Sequence, residues 1–215
     1  MLAMANFFTS DHHFGHANIL VYQDAERRNE DGEPFQHVHE MDVHLIAQWN
    51  ATVGPHDTVY CLGDFSYMAS SSEQALQQMN GKKILVCGNH DPFFKLMQGT
   101  SEQKEHAHDI ALQCGFSELY WQHTIEIKGV GQVKLAHFPY VPLNDAAEDQ
   151  RRYLELRPEP TGENLLLHGH VHSHWKYQQD AGKPLMINVG IDVWGLRPVS
   201  ENDLVSLFHE AGRPC

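Results

Sequence analysis

Basic residues are scarce in this chain: 15 lysines and arginines stand against 28 aspartates and glutamates, a formal net charge of −13. General nucleic-acid binders carry a basic face, so that class of partner is not expected. The deficit weighs less against an enzyme whose bound cations place positive charge where it is needed. Cysteine is also sparse. Cys61, Cys87, Cys114 and Cys215 show no paired spacing. Two of them lie in apolar runs, which reads as reduced core thiols and a cytoplasmic protein. No apolar run approaches the roughly 20 residues that cross a bilayer, so no membrane partner is expected. Met1-Leu2-Ala3-Met4-Ala5 lacks a basic stretch and runs straight into Asn6-Phe7-Phe8-Thr9, so a signal peptide is not expected either. Repeats and low-complexity linkers are absent.

Histidine is what the chain has in excess, with 17. His37, His39, His44, His106, His108, His123 and His209 read as surface residues. Others fall into five short segments rich in metal-binding side chains: Asp11-His12-His13, Gly63-Asp64, Gly88-Asn89-His90-Asp91, Ala136-His137 and Gly169-His170-Val171-His172. Four of these follow an apolar run. A lone Gly-Asp is usually a turn, and a lone Asp-His-His rarely binds anything. The ordered set is far less open to coincidence. In extended backbone, residues two apart point the same way, so Asp11 with His13 and His170 with His172 can each chelate. Gly63, Gly88 and Gly169 allow sharp turns or close backbone approach. Carboxylate, amide and imidazole without thiolate suit manganese, iron, cobalt, nickel or zinc better than calcium or magnesium.

Strand-like and helix-like patterns alternate. Residues 58–62 and 84–87 are short apolar strands. A helix is expected over about 40–52, with Met41, Leu45 and Trp49 on one stripe. Ser70-Ser71-Ser72-Glu73 reads as a capping box opening a second helix, and Ala107, Ile110, Ala111 and Cys114 mark a third. Ile125 and Ile127, then Val133 and Leu135, alternate around Gly129-Val130-Gly131 as a hairpin. Residues 165–167, 186–189 and 204–208 read as further strands. Residues 22–36 and 157–162 read as surface loops, either of which can cover a pocket. Because the ligand types extend from 11 to 172, any cut would split them, and 1–215 is read as a single α/β domain with its site at the sheet ends.

The order Asp-x-His, Gly-Asp, Gly-Asn-His-Asp, His, Gly-His-x-His resembles the calcineurin-like metallophosphoesterase superfamily, from 11 to 172 and on through Asn188-Val189-Gly190. His13-Phe14-Gly15-His16 and Asp192-Val193-Trp194 are similar to a branch of small bacterial and phage metallophosphoesterases. The resemblance implies a four-layer α/β/β/α sandwich. It assigns Asp11, His13 and His172 to one metal and Asn89, His137 and His170 to a second, with Asp64 bridging. Two divalent ions are implied, manganese first, with iron, zinc, cobalt or nickel as alternatives. The implied reaction is in-line attack on a phosphate ester by a hydroxide bridging the ions. His90 would protonate the leaving oxygen or stabilise the transition state, and Asp91 would orient His90. His16 is read as a substrate-phosphate contact or as a helix-start histidine packing locally. A phosphodiester is favoured over a phosphomonoester, and a non-catalytic scaffold is the outside alternative. His12 is read as structural, and His168 and His174 as supporting or solvated. Arg27, Arg28, Arg151, Arg152 and Arg197 are candidate phosphate contacts. Gly63-Asp64-Phe65-Ser66-Tyr67 also fits the Gly-Asp-x-x-Tyr motif of purple acid phosphatases. Those enzymes lack the equivalent of His13, so Tyr67 is read as a core residue.

Overall fold

The computed structural model describes residues 4–141 and 152–211. Cys215 and Arg151 lie outside them. The short apolar runs form a sheet of five strands. In it β1 (Asn6–Thr9), β2 (Thr58–Cys61), β3 (Lys82–Val86) and β4 (Glu118–Tyr120) lie side by side in parallel. Strand β10 (Val199–Ser200) closes the β1 edge antiparallel. Strand β4 was not expected from the sequence, and with three residues it is too short to show a period.

Parity decides which core each side chain joins. Phe7, Val59, Cys61 and Leu85 face a cluster roofed by helices. Phe8, Leu62 and Val86 face the second sheet. The roof is α2 (Val38–Thr52), α3 (Ala69–Leu76) and α5 (Ser101–Cys114), which bury Met41, Leu45 and Trp49, then Ala75 and Leu76, then Ala107, Ala111 and Cys114. Two short helices, α1 (Ile19–Tyr22) and α4 (Phe94–Met97), complete this side. Each fully buried Leu or Met contributes about 1.5–3 kcal/mol by leaving water. Helix α5 begins at a reciprocal cap, with Gln103 N donating to Thr100 Oγ1 at 3.3 Å and Thr100 N to Gln103 Oε1 at 2.9 Å.

The second sheet has the order β5 (Gln122–Ile127), β6 (Gly131–Ala136), β7 (Leu165–His168), β9 (Leu185–Asn188), β8 (Tyr177–Gln178). The β5–β6 hairpin is antiparallel, as expected, while β6, β7 and β9 run parallel. Val133, Leu135, Leu165, Leu167 and Ile187 meet Phe8, Leu62 and Val86 in the core between the sheets. On the outer face, Ala136, Tyr140, Leu166 and Met186 form a smaller cluster. Helices on a sheet on a second sheet give the mixed α/β architecture of the metallophosphoesterase fold.

Two readings of local structure are corrected. Residues 204–208 are not a strand but part of α6 (Glu201–Ala211). Leu204, Val205, Leu207 and Phe208 recur at helical spacing, and Asp203 N is bonded to Ser200 Oγ at 3.2 Å, capping the first turn. Nor does Ser70 cap α3, which starts at Ala69 after Met68. The serine hydroxyl that matters locally is Ser66, 2.5 Å from the buried Ser72 hydroxyl.

Candidate metal centre

Every predicted ligand lies in the loop that leaves the C-terminal end of a parallel strand, or at that end. Asp11 follows β1, Asp64 follows β2, Asn89 follows β3, His137 follows β6, and His170 and His172 follow β7. Backbone bonds knit these loops together. Asp11 N donates to Gly63 O at 3.0 Å, His13 N to Asp64 O at 3.0 Å and Gly169 N to His137 O at 3.0 Å. A parallel bridge between Ser10 and Gly190 joins the two sheets at the same end.

The loops have almost no slack. A Cβ on Gly88 would fall 2.3 Å from Asp64 N, and one on Gly169 would fall 1.8 Å from Ser10 Oγ. Glycine is required there for close approach, as read from the sequence. The chelating pairs do not sit in extended backbone, however. Asp11, His13, Asp64, His170 and His172 have φ of 61°, 56°, 52°, 72° and 46°. Five non-glycine residues in the left-handed region mark a strained loop cluster held by its surroundings.

Ligand atoms of Asp11, His13 and His172 lie within 4.8 Å of one another, and so do those of Asp11, Asp64 and His137. The first of these is the expected first group; the second holds Asp64 and His137 but neither Asn89 nor His170, and the residue common to both is Asp11. His13 Nε2 is 3.7 Å from Asp64 Oδ2, and His137 Nε2 is 3.5 Å from Asp64 Oδ1. Those spacings are long for hydrogen bonds. They would suit groups that share a cation rather than a proton. His137 Nε2 is also 3.0 Å from Asn89 Oδ1. The His170 ring is centred 5.2 Å from that of His137, and its backbone N–H donates to Asp11 at 3.1 Å.

These residues fit a divalent cation. Both ring nitrogens of His13 are buried without a hydrogen-bond partner. Burial, then the charges of His172 and Arg27, holds the His13 imidazole well below its ordinary pKa. Burial and the nearby Asp11 carboxylate push Asp64 well above its own. Unpaired imidazole and crowded carboxylates in a dry site are the arrangement that a cation relieves. Two further imidazoles are pinned from behind: His137 Nδ1 lies 2.8 Å from Leu62 O, and His172 Nδ1 lies 2.7 Å from Asp192 Oδ2.

His90 lines the cavity in front of the ligands, its ring 5.2 Å from that of His13. Burial first, then His137 and His16, pushes its pKa down to about 4. His16 also lines the cavity, 6.0 Å from the His90 ring. Asp91 does not hold the His90 ring. Its carboxylate accepts backbone N–H bonds from Gly88 at 2.8 Å, Phe65 at 2.8 Å and Asp64 at 3.0 Å, so it clamps two ligand loops together. Tyr67 is not core: it is exposed at the rim, its ring 6.3 Å from that of His16. His12 is buried among Phe14, Trp49 and Phe65, and His168 is buried against Trp175.

Asp192 was not foreseen as a partner of His172, and Arg27, one of five candidate phosphate contacts, is not one. Arg27 is buried and donates to Asp192 Oδ1 at 2.9 Å. Nothing local announces a pair separated by 165 positions. Of the far walls of the cavity, Ile19 and Tyr153 were not foreseen, while Tyr22 and Gln23 open the 22–36 segment read as able to cover a pocket. The cavity is about 600 Å³, within the range of pockets for small organic ligands.

Two stacked sheets with carboxylates, imidazoles and an amide converging at their strand ends define a metal-dependent hydrolase. A model of the calcineurin-like phosphoesterase superfamily domain matches residues 36–201, and the chain belongs to that superfamily. It is accordingly a hydrolase acting on phosphate esters. Asp11 and His13 precede the matched span and join the site through the fold. The chain is 33% identical over 219 residues to the Gene 66 protein of Mycobacterium phage L5, covering 95% of each. It is 38% identical over 209 residues to an uncharacterised protein of Methanocaldococcus jannaschii, covering 95% of this chain and 91% of the other. A solved protein of unknown function from Aquifex aeolicus shares the fold, with a TM-score of 0.61, 24% identity and coverage of 95% of this chain and 100% of that one. Among the described residues no helix is long and apolar enough to cross a membrane.

Proposed function

We propose that the chain is a dinuclear phosphodiesterase, with residues 1–215 acting as a single domain. Asp11, His13 and His172 would hold one divalent transition ion and Asn89, His137 and His170 the other, with Asp64 shared between the two; manganese is the first candidate for both. Such ions supply Lewis acidity toward water and toward the phosphoryl oxygens. The chain's own part is positioning and hydrogen-bond donation. The His90 backbone N–H, 2.8 Å from Asp64 Oδ1, fixes the bridging carboxylate. The His90 imidazole, held neutral by its lowered pKa, supplies an N–H that stabilises the transition state at the leaving oxygen, and His16 beside it contacts the phosphate. Asp91 serves as a positioning residue for the Asp64 and Asn89 loops. The buried free thiols of Cys61, Cys87 and Cys114 support a reducing, cytoplasmic setting.

The observation that carries the diester preference is the cavity, which is much larger than one phosphate. Its walls away from the ligands include Ile19, Tyr22, Gln23, Tyr153 and Val171, neutral surfaces that suit a second ester group. Arg152 on the same rim favours a monoester dianion as the second reading. Chelator-stripped protein reloaded with manganese separates them. We expect higher kcat/KM on bis-p-nitrophenyl phosphate than on p-nitrophenyl phosphate. The reverse order would make the enzyme a phosphatase.

A further inference from the structure

Behind the ligands lies a buried charge pair that the proposed reaction does not use directly. The side chains of Arg27 and Asp192 are both fully buried. Asp192 Oδ1 accepts from Arg27 Nε at 2.9 Å, and its other oxygen, Oδ2, lies 2.7 Å from His172 Nδ1. Oδ2 also accepts a longer bond from Arg27 Nη2 at 3.4 Å, so the guanidinium holds both oxygens while Oδ2 alone faces His172. Arg27 has two further tasks. Its Nη1 donates to His12 O at 2.8 Å and its Nη2 to Asp11 O at 2.5 Å. The guanidinium thus ties the backbone that delivers Asp11 and His13 to the carboxylate that holds His172. Those three side chains form one of the two candidate ligand groups.

A neutral imidazole carries one N–H. If Nδ1–H donates to Asp192, Nε2 is left with its lone pair free, the form that ligates a metal. A neutral side chain at 192 would allow either tautomer. Carboxylate partners of ligating histidines set ring orientation and raise ligand basicity. The planar fork of arginine holds several acceptors in one geometry, which lysine does not reproduce.

Resting on the metal-site reading above, we propose that Asp192 and Arg27 are a positioning pair that sets the tautomer and orientation of His172 and aligns it with Asp11 and His13. The pair also bears on the segment before α2. Arg27 is anchored beneath the site, and Ser173 Oγ donates to Gln23 Oε1 at 3.0 Å. The segment that carries both residues is fastened to the ligand loops and is part of the site's foundation, not a lid over it.

The test is manganese titration by calorimetry on metal-stripped full-length protein, with long-range ¹H–¹⁵N spectra of the zinc-loaded form. Wild-type protein should take up two ions and show His172 with its proton on Nδ1. Asp192→Asn should weaken one equivalent about 10–100-fold, leave the other near wild type, and shift the His172 nitrogen signals. The double variant Arg27→Met, Asp192→Asn buries no unpaired charge, and its melting curve verifies folding. It should show the same selective loss. Native affinity and an unchanged His172 tautomer in the folded double variant would overturn the proposal, leaving Asp192 as the counter-ion of Arg27 alone. Wild-type protein that takes up no metal would overturn the dinuclear reading, and this inference with it.

Discussion

His90 and Asp64 separate two kinds of contribution within one site. His90 lines the cavity but belongs to neither ligand group, so His90→Ala should keep both ions while lowering kcat by about 10²–10³-fold, the usual worth of one hydrogen-bond donor to the transition state. Metal analysis beside steady-state kinetics checks this, and unchanged turnover would remove His90 from the mechanism. Asp64 lies 3.7 Å from His13 Nε2 and 3.5 Å from His137 Nε2, between the two groups. Asp64→Asn should therefore weaken both equivalents of manganese together. Loss of a single equivalent would deny the bridge. The candidate ligands were legible from residue type and order. Their backbone geometry was not, because left-handed φ at Asp11, His13 and Asp64 is imposed by loops packed from other strands. Asp91 was misread for a similar reason: its acceptors' partners are backbone N–H groups, which no sequence displays.

Strands and helices were legible where one face is apolar and the period is clean. The stripe of Met41, Leu45 and Trp49 and the Val133–Leu135 alternation are examples. The segment 204–208 failed because a run with apolar residues at four of five positions fits both periods, and the deciding cap, Ser200 with Asp203, lies upstream. Close packing of loops makes a firm prediction at Gly88. A methyl there would meet Asp64 N and Oδ1 at 2.3 Å, so Gly88→Ala should lower the melting temperature and abolish metal uptake. Full uptake at wild-type stability would show the loops to be far softer than drawn. On the outer face of the second sheet, Lys134 Nζ lies 3.0 Å from Glu163 Oε1. Burial opposes ionisation of Glu163, but bonds from Tyr140, Lys134 and Thr161 outweigh it and hold the pKa down at about 2. Its folded value is below its unfolded one. Its contribution is present above the ordinary carboxylate range and lost as pH falls toward about 2. Glu163→Gln should cost about 3 kcal/mol near pH 7, and the gap from wild type should close on acidification. A pH-independent gap in denaturant titrations would contradict the ion-pair account.

The net charge of −13 and the site belong to one argument. An acidic chain whose buried carboxylates crowd together has no cationic side chain among its candidate ligands, and Arg152 and Arg157 stand elsewhere in the cavity wall. Bound ions would both complete the site and stabilise the fold, since whatever binds only the native state shifts unfolding by mass action. The two sheets meet at the site end through Ser10 and Gly190, so the metal centre is also where they are joined. The most direct measurement is stepwise addition of manganese to chelator-stripped protein, with bound metal and bis-p-nitrophenyl phosphate turnover followed together. The account predicts that turnover rises to its plateau as the second equivalent binds and disappears again on chelation. A plateau reached at one equivalent, or full turnover without metal, would contradict it.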